Sequence, residues 1–142
     1  MALIRDDLAP QLKQELKALK DPVKLVVFSQ ALADPESEQV RRLMEELAAL
    51  DPKQLQAEPV NFVLEKERAE AMGVARTPGV AIIGAKDYGI RFYGVPHGYE
   101  FGTLLDAILD VSKGEHGLSP QTISALDALE RPVHIQVFST PT

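Results

Sequence analysis

The sequence predicts an α/β protein in which helices flank a mixed β-sheet. Apolar stripes with helical spacing alternate along the chain with short apolar runs. The run Val23–Phe28 is rich in β-branched residues and almost continuous, which is typical of a central strand covered on both faces. The run Tyr88–Tyr93 alternates apolar and polar residues, which is typical of the second strand of an antiparallel hairpin.

The first helix is predicted over residues 8–19, because leucines at 12, 16 and 19 form one helical stripe. We expect Asp6 or Asp7 to cap it, and Pro10 is tolerated in a first turn. Asp21-Pro22 then ends the helix before the central strand.

The second helix has the strongest start signal in the chain. Asp34 is an expected N-cap, Pro35 suits the first helical position, and Glu36 and Glu38 place negative charge in the first turn. The apolar stripe continues to about residue 50, and Asp51-Pro52 ends the helix.

The remaining elements follow in quick succession. A second strand is predicted over 60–64, a short helix over 67–72, a turn at 77–79, strands over 80–83 and 88–93, and a last helix after Gly98. The predicted order is α-β-α-β-α-β-β-α, which favours an α/β sandwich with a mixed sheet.

Composition excludes several classes of function. The net charge of −6, with basic and acidic residues interspersed, disfavours nucleic acid as a partner. No apolar run could cross a bilayer and the first residues do not form a signal peptide, so no membrane association is expected and a cytoplasmic location is the default. No cofactor or metal is predicted, since His97, His116 and His134 have no metal-ligand spacing. The chain contains no cysteine.

The end of the chain repeats its beginning. Residues 16–29 align with 126–139 at a constant offset of 110, and eight of the fourteen positions are identical. Both copies consist of a predicted helix, a proline and an apolar strand. We therefore expect residues 118–142 to be the first helix and strand of a second unit, and the chain to be a piece of a longer protein.

Five segments carry a resemblance to a known family: Pro22–Phe28, Arg76–Pro78, Tyr88–Phe101, Asp110–Ser112 and Val137–Thr142. Together they resemble the two-unit protein disulfide oxidoreductases, which are glutaredoxin-like proteins built from two fused thioredoxin folds. The resemblance spans nearly the whole chain, and 88–101 is its most specific part. It implies a thioredoxin-like three-layer sandwich for residues 1–117.

The resemblance also implies where a redox site would lie. In this family a Cys-x-x-Cys motif begins the helix after the first strand, and the matching residues here are Asp34, Pro35, Glu36 and Ser37. Asp34 would replace the nucleophilic thiol and Ser37 the resolving thiol. Because an aspartate caps the helix equally well, a structural role is favoured over a catalytic one. Thr77-Pro78 matches the family's Thr–cis-Pro pair, which lines a peptide-binding groove in active relatives; shaping the turn is the alternative role.

The expected function is therefore a redox-inactive N-terminal unit of a protein disulfide oxidoreductase, with an architectural or substrate-binding role toward protein or peptide substrates. In the parent protein the redox cysteines would follow Thr142. One alternative is the N-terminal domain of the flavoprotein reductases that serve peroxiredoxins. Others are a docking or homo-oligomerising domain without redox activity, and an independent enzyme using a carboxylate at Asp34 or Glu36.

Overall fold

The computed structural model describes residues 2–30, 32 and 34–140. Within these residues it contains, in chain order, α1 (Ala9–Leu16), β1 (Val23–Ser29), α2 (Pro35–Leu50), β2 (Leu55–Asn61), α3 (Lys66–Ala71), β3 (Gly79–Ile83), β4 (Asp87–Tyr93), α4 (Tyr99–Lys113) and α5 (Pro120–Asp127). The predicted order of helices and strands up to α4 is confirmed.

The four strands form one mixed sheet in the order β2-β1-β3-β4. β1 is central, parallel to β2 and antiparallel to β3, and β4 closes an antiparallel hairpin with β3. The prediction of a central first strand and a closing hairpin is therefore confirmed. Such a parallel pair needs a crossover, which α2 provides.

Alternate residues of β1 supply two separate cores, one on each face of the sheet. Leu25 and Val27 pack in a large cluster that includes residues of α1, α2 and α4. Val26 and Phe28 pack on the other face in a smaller cluster with Ala69 of α3. The result is three layers, with the sheet between α3 on one face and α1, α2 and α4 on the other.

The bounds of the second strand differ from the prediction. β2 runs over Leu55–Asn61, not over 60–64. Its partner β1 sets this register, pairing Val23 with Leu55 and Ser29 with Asn61. The chain then turns, because the side chain of Asn61 accepts the backbone N–H groups of residues 63 and 64 at 3.0 Å. The prediction missed the first part of the strand because it contains Pro59, which an edge strand tolerates.

The first helix is shorter than predicted and its expected cap is wrong. α1 spans Ala9–Leu16, and the residue before it, Leu8, makes no side-chain capping bond. Asp7 instead accepts hydrogen bonds from the guanidinium of Arg5. Leu19 lies beyond the helix yet is still buried in the larger core.

The residues after α4 have little contact with the rest of the chain. Helix α5 has no buried residue, and residues 129–140 have neither helix nor strand. The strand predicted over 133–138 is therefore not formed, since a strand needs a neighbour to satisfy its backbone groups. The residue Val23 is 1% exposed, whereas its repeat counterpart Val133 is 61% exposed. The division into units 1–117 and 118–142 stays a prediction.

Candidate functional site

The candidate site lies at one end of the sheet, along the strand direction. β1 and β2 are parallel, so both end there, and β3 begins there because its Gly79 pairs with Phe28 of β1. The start of α2 and the turn before β3 are therefore neighbours. This topology brings Asp34 and Thr77 together although they lie 43 residues apart in sequence.

Asp34 is confirmed as the N-cap of α2 and binds two other side chains. Its Oδ1 accepts the backbone N–H of Ser37 at 3.1 Å. Its Oδ2 accepts the hydroxyl of Ser37 and, at 3.1 Å, the hydroxyl of Thr77. We call Asp34, Ser37 and Thr77 the capping cluster. It joins the first turn of α2 to the turn that precedes β3.

Ser37 is the buried member of the capping cluster, with 0% of its surface exposed. Its hydroxyl oxygen also accepts the backbone N–H of Gln30 at 3.2 Å. The hydroxyl thus uses its donor and one of its two acceptor sites inside the fold. Asp34 and Ser37, which the family resemblance aligns with the two cysteines of a Cys-x-x-Cys motif, are hydrogen-bonded to each other.

The electrostatics of the cluster favour a charged, unreactive carboxylate. The hydroxyl of Ser37, followed by its backbone N–H and then the hydroxyl of Thr77, lowers the pKa of Asp34 below its ordinary value. A carboxylate that is so well hydrogen-bonded is a weak base and a weak nucleophile. Glu36, the other carboxylate considered for catalysis, is exposed to solvent. The cluster caps the helix and presents one fixed negative charge.

The turn facing the cluster has the geometry implied by the family resemblance. The Thr77–Pro78 peptide bond is cis, and Pro78 is buried. The carbonyl of Pro78 accepts the backbone N–H of Gly94 at 3.0 Å, which fixes this turn to the end of β4. The guanidinium of Arg76 lies 4.8 Å from the centre of the Tyr93 ring, a cation–π contact on the same turn.

A groove of about 380 Å³ opens beside the cluster, on the side of the sheet covered by α3. Its lining is mostly apolar and comes from the ends of β1 and β2, from α3 and from the residues before the cis turn: Gln30, Phe62, Val63, Lys66, Ala69, Glu70, Val74 and Ala75. Three apolar residues at this end of the sheet are well exposed, with Leu32 at 85%, Leu64 at 83% and Tyr99 at 85%. This end of the sheet can therefore offer apolar contacts to a partner.

The described residues were compared with the requirements of a metal site and of a membrane-spanning helix. In residues 2–30, 32 and 34–140 no group of histidine, aspartate and glutamate side chains is arranged to hold a metal ion. All three histidines are exposed. Each helix of this part of the chain is too short or too polar to span a bilayer.

Sequence reasoning missed several residues that shape the site. Gln30 and Gly94 act through their backbone N–H groups, which no residue pattern reveals. The Arg76–Tyr93 contact joins residues far apart in sequence, so only the hairpin register brings them together.

Three comparisons with known proteins bear on this geometry. No family model matches the chain. Among curated proteins, the alkyl hydroperoxide reductase AhpF of Staphylococcus epidermidis is 29% identical over 140 residues, which is 99% of this chain and 25% of that protein. The AhpF of Staphylococcus aureus is 28% identical over the same length. The chain thus spans a quarter of the length of these curated relatives.

Two solved structures share the fold over most of the chain. The NTD_N/C domain of alkylhydroperoxide reductase AhpF from Enterococcus faecalis matches with a TM-score of 0.77 and 25% identity, covering 90% of this chain and 62% of that one. A protein disulfide oxidoreductase from Aeropyrum pernix matches with a TM-score of 0.78 and 26% identity, covering 88% of this chain and 55% of that one. The fold is thioredoxin-like. The chain is thus similar both to the N-terminal part of AhpF and to a disulfide oxidoreductase.

Proposed function

We propose that residues 1–117 form a redox-inactive thioredoxin-like unit of a larger disulfide oxidoreductase, with residues 118–142 starting a second such unit. The unit supplies architecture and a binding face for protein or peptide substrates. The observation that carries this proposal is the capping cluster. Asp34 and Ser37 take the two thiol positions, bond to each other, and face the cis Thr77–Pro78 turn.

The chemical part of the proposal follows from the residues themselves. Thiol–disulfide exchange requires a thiolate, and this chain has no cysteine. The helix N-terminus that would lower a thiol pKa is instead used to hold the Asp34 carboxylate. The helix start is kept while the nucleophile is absent.

The binding part of the proposal rests on the shape of the surface where β1 and β2 end. Substrate contacts are assigned to Thr77, Pro78 and the groove lined by Phe62 and Val63. Thr77 and Pro78 are held by hydrogen bonds to Asp34 and Gly94, so this part of the face is pre-formed and a partner meets a low entropic cost. The partner proposed is an extended polypeptide with apolar side chains.

Binding by strand addition is less favoured, because both edges of the sheet are protected. The N–H of Val23 donates to Gln54 at 2.8 Å and that of Phe62 donates to Ser29 at 2.9 Å. In this parallel pair alternate residues of β2 direct their backbone groups toward β1, and Phe62 is one of them. Pro59, three residues earlier, therefore directs its nitrogen to the outer side of β2, where a proline has no N–H to donate. On the other outer strand, β4, the pairing with β3 is irregular between Ala81 and Ile83, which interrupts the regular edge that an added strand would need. The groove is therefore preferred over a sheet edge as the docking surface.

The test restores the two thiols. The unmodified 142-residue chain is expected to give no dithiothreitol-dependent reduction of insulin. The double variant Asp34→Cys, Ser37→Cys is expected to gain measurable activity. Each single cysteine variant is the matched control, because one thiol cannot complete the cycle. If the double variant keeps the native circular dichroism spectrum yet stays as inactive as the single variants, the assignment of the two positions is wrong.

A second candidate is the N-terminal domain of an AhpF-like flavoprotein reductase. It is favoured by the alignment with the staphylococcal AhpF proteins, which covers 99% of this chain. Both candidates assign the same inactive unit, so the insulin assay does not separate them. The reading frame beyond Thr142 does: a flavin-binding module favours the reductase, and a frame that stops after the second unit favours the oxidoreductase.

A further inference from the structure

The residues before α1 are tied to α2 by a single carboxylate. Glu46 Oε2 accepts the backbone N–H of Leu3 at 2.7 Å and that of Ile4 at 2.8 Å. Terminal residues ordinarily fray unless something holds them. Hydrogen bonds to an ionised acceptor are among the stronger ones, so this contact can order the segment. We call residues 2–8 the strap.

The strap forms one wall of an apolar groove of about 360 Å³. Leu12 of α1, Leu43 of α2, Val95 and Phe101 also line this groove. Ile4 of the strap packs against the larger core. With the strap lifted, the apolar side chains of this groove would meet solvent.

Two segments connect this groove to the candidate site, although the two sites have no lining residue in common. Residues 95–98 line it, and they follow Gly94, whose N–H donates to the carbonyl of Pro78 in the cis turn. Gln39 also lines it and lies on α2 less than one turn beyond Ser37 of the capping cluster. Opening the strap would therefore expose a second apolar surface, on the face of the sheet opposite to the groove beside α3.

We propose that the strap is a lid over this groove and that Glu46 is its latch. The proposal rests on the proposed function only where it gives the neighbouring face a binding role. The latch itself depends on two hydrogen bonds to one carboxylate. Loss of this one carboxylate breaks both hydrogen bonds and frees the strap without touching the sheet or the capping cluster.

The experiment measures amide hydrogen exchange of Leu3 and Ile4 by NMR in the full chain. Both amides are expected to be protected in the parent and to exchange about tenfold faster in Glu46→Ala, because each loses its charged acceptor. Glu46→Gln keeps an uncharged acceptor and is expected to give a smaller increase. Glu45→Ala is the matched control, since Glu45 is the neighbouring carboxylate on α2 and its side chain pairs with Arg41.

A second readout tests whether the strap covers the groove. The fluorescence of the probe 1-anilinonaphthalene-8-sulfonate is expected to rise severalfold with Glu46→Ala and to stay unchanged with Glu45→Ala. The amide of Val23, which is bonded within the sheet, must keep its protection in every variant as evidence of a folded core. If Glu46→Ala unfolds the chain, Glu46→Gln is used for both readouts.

Two results would overturn the proposal. Equal exchange of Leu3 and Ile4 in the parent and in the folded Glu46 variants means that there is no latch. Faster exchange without added probe fluorescence means that the strap does not cover the groove. Neither readout involves thiol chemistry, so either failure leaves the insulin result for Asp34 and Ser37 untouched.

Discussion

The hydroxyl of Thr77 lies 3.1 Å from Oδ2 of Asp34, and this one hydrogen bond joins the start of α2 to the cis turn before β3. The family resemblance implies that in thiol-active relatives the same two positions face each other at the redox site. Here the contact is a hydrogen bond between a hydroxyl and a carboxylate, and neither group is redox-active. The contact between Asp34 and Thr77 is therefore expected to be the same under reducing and oxidising conditions.

Coupling between Asp34 and Thr77 is the first prediction. Thr77→Val removes one side-chain hydrogen bond and is expected to lower the free energy of unfolding by about 1 kcal/mol. Asp34→Ala also removes the helix cap and is expected to cost about 1–2 kcal/mol. Urea unfolding of both single variants and the double variant measures the coupling, which we expect to be at least about 0.5 kcal/mol. Strictly additive costs would mean that the contact does not bridge the two elements.

Acid sensitivity is the second prediction. The guanidinium of Arg91, followed by the backbone N–H of Gly89, lowers the pKa of Asp87 from 3.8 to about 2. The pKa of Asp34 is also lowered, first by the hydroxyl of Ser37. A carboxyl with a lower pKa in the folded state stabilises the fold above its unfolded pKa, and this contribution disappears as the pH falls through the folded value.

Stability is therefore expected to be level near pH 6 and to fall between about pH 4 and pH 2. Urea midpoints measured across this range check it. Asp87→Asn should flatten the fall, since an amide cannot be protonated there. Asp127→Asn is the control on α5, a helix with no buried residue, and should leave the profile unchanged. A profile for Asp87→Asn as steep as that of the parent would contradict the prediction.

A buried serine provides the third prediction. Ser112 of α4 is 1% exposed, and its hydroxyl accepts the backbone N–H groups of Lys20 and Asp21 at 2.9 and 3.1 Å. It also donates to the carbonyl of Asp21 at 2.7 Å. This hydroxyl ties the last turn of α4 to the loop before β1.

Ser112→Ala leaves two backbone donors and one acceptor without this partner, so we expect a loss of about 2–3 kcal/mol in the free energy of unfolding. Ser124→Ala, on the exposed helix α5, is the control and should stay within about 0.5 kcal/mol of the parent. Chemical denaturation monitored by far-UV circular dichroism gives both values. A cost for Ser112→Ala no larger than that of the control would show that the loop does not depend on this hydroxyl.

The extent of sequence-based prediction differs between elements for physical reasons. α2 was predicted almost to the residue because Asp34 and Pro35 signal its start locally. β2 was predicted only in part, because its register is set by β1 and its own residues, with Pro59 among them, are unlike a typical strand. The cap expected from Asp7 was wrong because Arg5, two residues away, binds that carboxylate.

The same distinction holds at the candidate site. The capping role of Asp34 could be predicted because it depends on neighbours within one helical turn. The bond from Thr77 to Asp34 could not, because it depends on how β1 and β3 pair. The Glu46 latch belongs to the same group, since Leu3 and Ile4 lie more than 40 residues away from it in sequence.

Two glycines supply the last prediction, with opposite signs. A Cβ added at Gly79 would lie 2.9 Å from the carbonyl oxygen of Arg76 and 3.0 Å from Val74 Cγ1, so the cis turn would have to shift. Gly79→Ala is therefore expected to cost about 1–3 kcal/mol by overpacking. A Cβ at Gly102, within α4, meets nothing within 4 Å, and Gly102→Ala is expected to stabilise by about 0.5–1 kcal/mol through helix propensity. Thermal unfolding of the two variants beside the parent measures both effects, and a melting temperature for Gly79→Ala at or above that of the parent would show that the turn before β3 is not tightly packed.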